Sequence, residues 1–152
     1  MKTAFIPGTP PTITNQSKGV RCIPDRGTMR PMFYKKKAYR QAEAHYLSHI
    51  PQGSPFSGPV GMRIAFQWPW RVAEPKKNRV LGWKPKDTKP DLDNSAKCLI
   101  DCIEKMQFGI SHDAQIAELT IVKTWGDDPG VLIQIWELED GLWLDRSEGR
   151  VA

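Results

Sequence analysis

Apolar and polar positions alternate along much of this chain, and the period of the alternation marks its elements. Val60, Met62, Ile64, Phe66 and Trp68 alternate with Gly61, Arg63, Ala65 and Gln67, the period-two pattern of a half-buried strand that Pro69 ends. Gln115 to Thr124 also reads as a strand, with Ala117, Leu119 and Ile121 opposite Ile116, Thr120 and Val122. Val131 to Trp136 predicts a last strand, the hairpin partner of the one before it across Asp127-Asp128-Pro129-Gly130. Two stretches follow the helical period instead. Tyr39, Ala42, Tyr46 and Ile50 share a face and predict a helix from about Pro31 to Ile50. Leu99, Cys102, Ile103 and Met106 predict a second, capped by Asp93 or Asn94 and closed by Phe108-Gly109. Residues 3–6 suit a short strand, and the polar residues 12–31 read as a long loop. The order β-α-β-α-β-β implies a single α/β domain over residues 1–137, with a mixed sheet and helices on one face. Residues 138–152 form a tail in which Leu142, Trp143 and Leu144 could pack.

Composition narrows the class without naming it. A chain of 152 residues has room for one modest core. No apolar run approaches the length of a membrane span, and Met1 to Pro7 lacks the apolar stretch of a secretory signal. Three cysteines is an odd count, and Cys98 and Cys102 sit four apart in a helical pattern. They read as reduced buried thiols of a cytoplasmic protein. No second Cys/His pair has the spacing of a structural zinc site.

Charge is partitioned more sharply than the net of +5 suggests. Residues 1–40 hold nine Lys/Arg against Asp25 alone. Residues 71–90 hold seven, Arg71, Lys76, Lys77, Arg79, Lys84, Lys86 and Lys89, against Glu74 and Asp87. The remaining six Lys/Arg face fourteen Asp/Glu elsewhere. One basic segment could be a solvated loop. Two such segments, one of them abutting a carboxylate cluster, suit a surface that follows a phosphate backbone. Trp70 and Trp83, set among those bases, could stack on unpaired nucleobases.

The carboxylate cluster is Lys89-Pro90-Asp91-Leu92-Asp93-Asn94, then Lys97 and Asp101, then His112-Asp113-Ala114-Gln115-Ile116. Carboxylates gathered this closely repel one another unless a cation neutralises them. Mg²⁺ prefers oxygen ligands and combines one or two carboxylates with substrate phosphate oxygens. Asp91 and Asp93 alternate in an extended segment and could face one ion. Asp93, Lys97 and Asp101 follow at one-turn intervals on one helical face. Each residue also has a plain structural reading: Asp93 as an N-cap, Lys97 and Asp101 as a surface pair, Asp113 as a turn residue. His45 and His49 lie four apart on the first helix and read as structural, whereas His112 adjoins the cluster.

Taken together, the spacing Lys-Pro-Asp-x-Asp-Asn, a lysine four residues on, an aspartate four beyond it, and Asp-x-Gln-Ile opening a strand closely resembles the RusA family of Holliday junction resolvases. The likeness is strongest over residues 89–123 and extends loosely to the Ile-Pro-Gly-Thr-Pro-Pro start, the basic-aromatic helix and the strand at 60–68. It implies an Mg²⁺-dependent, homodimeric endonuclease that cuts four-way DNA junctions in recombination and repair, in a bacterial or phage-infected cell. It places metal and catalysis on Asp91, Asp93 and Asp113, and a catalytic or DNA-contacting role on Lys97. Asp101 matches a position that is often acidic. This chain departs from the family where His112 replaces the first of two aspartates, where Ser95 replaces an apolar residue, and in its long basic loop. Other readings differ in class: a flap or fork nuclease of a phage or prophage, a DNA-binding module without catalysis, or a protein-interaction domain.

Overall fold

The computed structural model describes residues 1–13 and 18–139; the Leu142-Trp143-Leu144 segment lies outside them. A mixed five-stranded sheet carries the domain, and the period-two segments build its middle. Strands β1 (Lys2–Pro7), β4 (Val60–Pro69), β5 (Trp83–Pro85), β6 (Ile116–Gly126) and β7 (Gly130–Glu137) lie in the order β1-β7-β4-β6-β5. Val60, Met62, Ile64, Phe66 and Trp68 of β4 point into the core, as their alternation predicts. Ala4 and Ile6 of β1 and Val131, Ile133 and Ile135 of β7 continue that apolar layer.

Two helices cover it. Helix α1 (Lys37–His49) buries Tyr39, Ala42 and Tyr46, and α3 (Leu92–Lys105) buries Cys98, Leu99, Cys102 and Ile103. They pack against each other, with the Cys102 thiol 3.9 Å from the Glu43 carbonyl oxygen. Cys98 and Cys102 are buried free thiols, whereas Cys22 is exposed. Among the described residues, no helix is long and apolar enough to cross a membrane.

Three expectations need correction. β6 and β7 are not a hairpin pair, because β4 lies between them, parallel to β6 and antiparallel to β7. Gly126 pairs with Pro69 and Gly130 with Gln67, so Asp127–Pro129 cross over the end of β4. A tight-turn sequence shows where the chain reverses, and it does not show whether another strand occupies the gap. β4 takes the central place because it is the strand with the most deeply buried residues.

The second correction concerns residues 12–31. Here a separate hairpin forms from β2 (Lys18–Asp25) and β3 (Thr28–Lys35), and so α1 begins at Lys37 rather than near Pro31. Pro24 and Pro31 argue against strands, yet both strands of a two-stranded ribbon are edges, where a missing N–H is tolerated. The turn uses Arg26 and Gly27, both at positive φ, the geometry of a two-residue hairpin loop.

Third, the 70–90 loop contains a single helical turn, α2 (Lys76–Arg79), and the short β5, which extends the sheet beyond β6.

Candidate active site

Helix α3 starts two or three residues earlier than its sequence suggests. Asp91 is its N-cap and Asp93 lies in its first turn. The Asp91 side chain makes no capping hydrogen bond, so its carboxylate is not engaged in closing the helix. The expectation that Asp91 and Asp93 alternate in an extended segment fails for the same reason. Asp91 is extended, whereas Asp93 is already the second residue of the helix. Both are exposed.

One turn further, Lys97 gathers the other acids. Its Nζ lies 2.8 Å from Asp113 Oδ2 and 3.0 Å from Asp101 Oδ1. Asp113, then Asp101, hold the ammonium well above the usual lysine range. Lys97 in turn holds the Asp113 carboxyl below the usual carboxylate range. Lys97 is therefore a fixed cation at neutral pH, suited to stabilising negative charge and unsuited to accepting a proton.

Three further residues, which the sequence did not mark, brace this pair. The Tyr39 hydroxyl donates to Asp101 Oδ2 at 3.2 Å, and burial keeps its phenol protonated. Glu104 Oε2 accepts the Asp113 backbone N–H at 3.2 Å. Lys123, on β6, donates to the Thr88 and Pro90 carbonyls at 2.9 and 3.0 Å and so anchors the backbone that leads into Asp91. Glu104 had a weak signal, three residues after Asp101 on the same helix. Tyr39 and Lys123 had none, because their partners are 62 and more than 30 residues away. Replacing Lys123 with Met should lower cleavage roughly tenfold through misplacement of Asp91. Unchanged cleavage at full thermal stability would show that this anchor is dispensable.

The segment carrying Asp113 is rigid for reasons its motif only hints at. Asp113–Gln115 form one 3-10 turn with His112 as N-cap. The Gln115 side-chain oxygen accepts the Ser111 N–H at 2.7 Å, and its amide donates to the Phe56 and Gly58 carbonyls at 2.9 and 3.2 Å. Gln115 is thus a clamp. His112 Nδ1 accepts the Ala114 N–H at 3.1 Å and also lies 3.1 Å from Asp113 Oδ1. The nitrogen cannot accept from one and donate to the other at once.

The basic segment divides in two. Glu74 is buried and accepts from Arg71, Asn78 and Lys84, fastening α2 and β5 together. Lys86 is only 6% exposed, with Nζ 3.8 Å from the Trp125 ring centroid and 2.5 Å from Thr88 Oγ1. Burial and then the neighbouring Lys123 charge push its pKa down. Of the residues expected to contact DNA, Lys84 is tied to Glu74 and Lys86 is packed between Trp68 and Trp125. Lys76, Lys77, Arg79 and Lys89 stay exposed. Trp70 donates to Asp127 Oδ1 at 2.8 Å, whereas Trp83 is 56% exposed.

Donation from Lys84, then Asn78, holds the Glu74 carboxyl at about 2, below its ordinary 4.5. A carboxyl depressed by folding stabilises the fold above its unfolded pKa and loses that contribution as pH falls through its folded one. The loop should therefore loosen between about pH 4.5 and 2. Trp83 fluorescence should change over that window in the native protein and not in Glu74→Gln, which carries no such carboxyl.

Among the described residues, no three His, Cys, Asp or Glu side chains lie together as a ready metal site. The donor chemistry of Asp91, Asp93 and Asp113 nevertheless suits a hard cation, since all three offer carboxylate oxygens that solvent reaches. What the fold does assemble is an α/β domain presenting a solvent-accessible acid-and-lysine constellation between one helix and the turn before β6, flanked by bases: a nuclease architecture. The family description "Endodeoxyribonuclease RusA" matches residues 8–136, and the chain belongs to this family of Holliday junction endodeoxyribonucleases. The family's enzymes are metal-dependent. A comparison with curated proteins found no match.

Proposed function

We propose that this chain is an Mg²⁺-dependent, homodimeric resolvase that cuts four-way DNA junctions by paired phosphodiester hydrolysis in recombination and repair. The observation that carries this reading is the Lys97 ammonium held between Asp101 and Asp113, one turn beyond Asp93 on α3. Residues 1–137 form the catalytic domain in this reading. Asp91, Asp93 and Asp113 would supply the oxygen ligands of the ion, which when bound supplies an activated water and positive charge. Lys97 adds fixed charge where the phosphorane-like transition state becomes more negative. Tyr39 and Glu104 act through Asp101 and Asp113 as positioning residues.

Lys76, Lys77, Arg79 and Lys89 are proposed to hold the backbone of a junction arm. Dimerisation follows from the substrate. Resolution needs two cuts related by a near two-fold axis, and a symmetric dimer presents two identical sites across such an axis.

The test is to incubate the protein with a synthetic four-way junction and Mg²⁺, beside duplex, flap and fork controls. Symmetric paired cuts in the junction are expected, with light scattering reporting a dimer. Cutting of flaps in preference to junctions would reassign the substrate, and cleavage of none would refute the reading. Changing Lys76, Lys77 and Arg79 together to Ala should flatten the salt dependence of junction binding by up to about three counterions. An unchanged slope would turn this loop away from the DNA.

A further inference from the structure

The β2–β3 hairpin has no place in the site described above, and its composition is unusual for an exposed ribbon. Paired residues of an antiparallel ladder point the same way. Val20 pairs with Phe33, Cys22 with Pro31 and Pro24 with Met29, so beyond Lys35 at its root one face of the ribbon is apolar. That face is not packed on the body: Val20 is 56% exposed, Met29 64% and Phe33 77%. The opposite face pairs Arg21 with Met32 and Ile23 with Arg30. From Lys18 to Lys37 the sequence has seven Lys/Arg against Asp25 alone. A two-stranded ribbon is marginal without something to cover it.

The root of the ribbon lies at the active site. Lys35, the last residue of β3, donates to Glu43 Oε1 at 2.8 Å and sits 5.0 Å from the Tyr39 ring centroid. It lines a cleft of about 370 Å³ together with Asp101, Glu104 and Lys105. Eight residues per strand give an arm about 26 Å long, starting from the wall of that cleft.

We propose that this arm reads the branch point: its apolar face, Phe33 above all, lies against bases unstacked at the strand exchange, while its basic residues hold the flanking phosphates. The inference rests on the nuclease reading above and deepens it by assigning the element that distinguishes branched from linear DNA. Charge decides the occupant. A second copy of the arm would bring a strongly positive surface against its like, and charged residues are depleted from protein interface cores. DNA offers the opposite charge, and only at a branch, end or gap does it also offer an apolar base face.

The experiment uses the full chain in an Asp113→Asn background, which should bind without cutting, and a junction with 2-aminopurine at the crossover or out in one arm. Binding should change the fluorescence of the crossover probe and leave the arm probe nearly unchanged. Phe33→Ala should abolish the crossover signal and lower the preference for junction over linear duplex roughly tenfold, the size of one lost base–aromatic stack. Linear duplex binding should persist, and Phe33→Trp should restore the signal. A Met29→Ser, Val20→Ser pair gives a second, independent variant with the same expectation.

Unchanged junction preference in both variants would overturn the proposal. So would conversion of the Phe33→Ala protein from dimer to monomer, which would make this face a subunit interface. The nuclease reading fails separately, if the unmodified protein cuts no branched DNA.

Discussion

Asn in place of Asp113 should lower single-turnover junction cleavage on the order of a thousandfold, the upper end of what loss of one electrostatic element of a site costs. Asp113 is the acid to test first because the fold commits so much to placing it. Gln115 clamps the turn that carries it, Glu104 takes its backbone N–H, and Lys97 holds its carboxylate ionised. The amide keeps shape and volume but offers one neutral oxygen in place of a charged pair, so folding should survive. Junction binding should hold or tighten, since a negative charge beside phosphate is removed. Asp91→Asn and Asp93→Asn should behave alike if all three acids serve one ion. Near-normal cleavage by the Asp113 variant would remove this residue from the chemistry, and a fall confined to binding would make it a DNA contact.

Replacing Lys97 with Ala should reduce turnover at saturating protein by roughly a hundred- to a thousandfold, with binding weakened far less. The expectation rests on geometry. Lys97 lies between two carboxylates at 2.8 and 3.0 Å, and they hold it protonated across the whole neutral range. It brings a permanent cation to the acids where a scissile phosphate would come. Were it only a phosphate tether, substrate affinity would drop and the single-turnover rate at saturation would survive. The ratio of the two effects separates these roles.

Much of this was legible along the chain because it depends on local spacing. The periods of 60–68, of Tyr39 to Ile50 and of Leu99 to Ile103 report buried faces directly, and those residues are the core. The motif from Lys89 to Ile116 is readable because a one-turn interval puts Asp93, Lys97 and Asp101 on one helical face. The β2–β3 ribbon was not legible. It buries almost nothing, Ile23 and Met32 interrupt the alternation of Val20, Cys22 and Pro24 with their partners, and its prolines counted against strands in a way that an all-edge ribbon escapes.

The sequence by itself determined the class of domain, the core faces of its helices and central strand, and the set of acids and bases from which a nuclease is built. All of these follow from interactions within a few residues. Only the tertiary structure decided which of those charges are available. It buried Lys86 against Trp125, tied Lys84 to Glu74, set β4 between β6 and β7, and brought Tyr39 and Lys123 from distant elements to brace Asp101 and the approach to Asp91. A charge does not show along the chain whether it will meet solvent, a ring or a carboxylate. That depends on which surface its strand or helix lands against, and the packing of the whole core sets that.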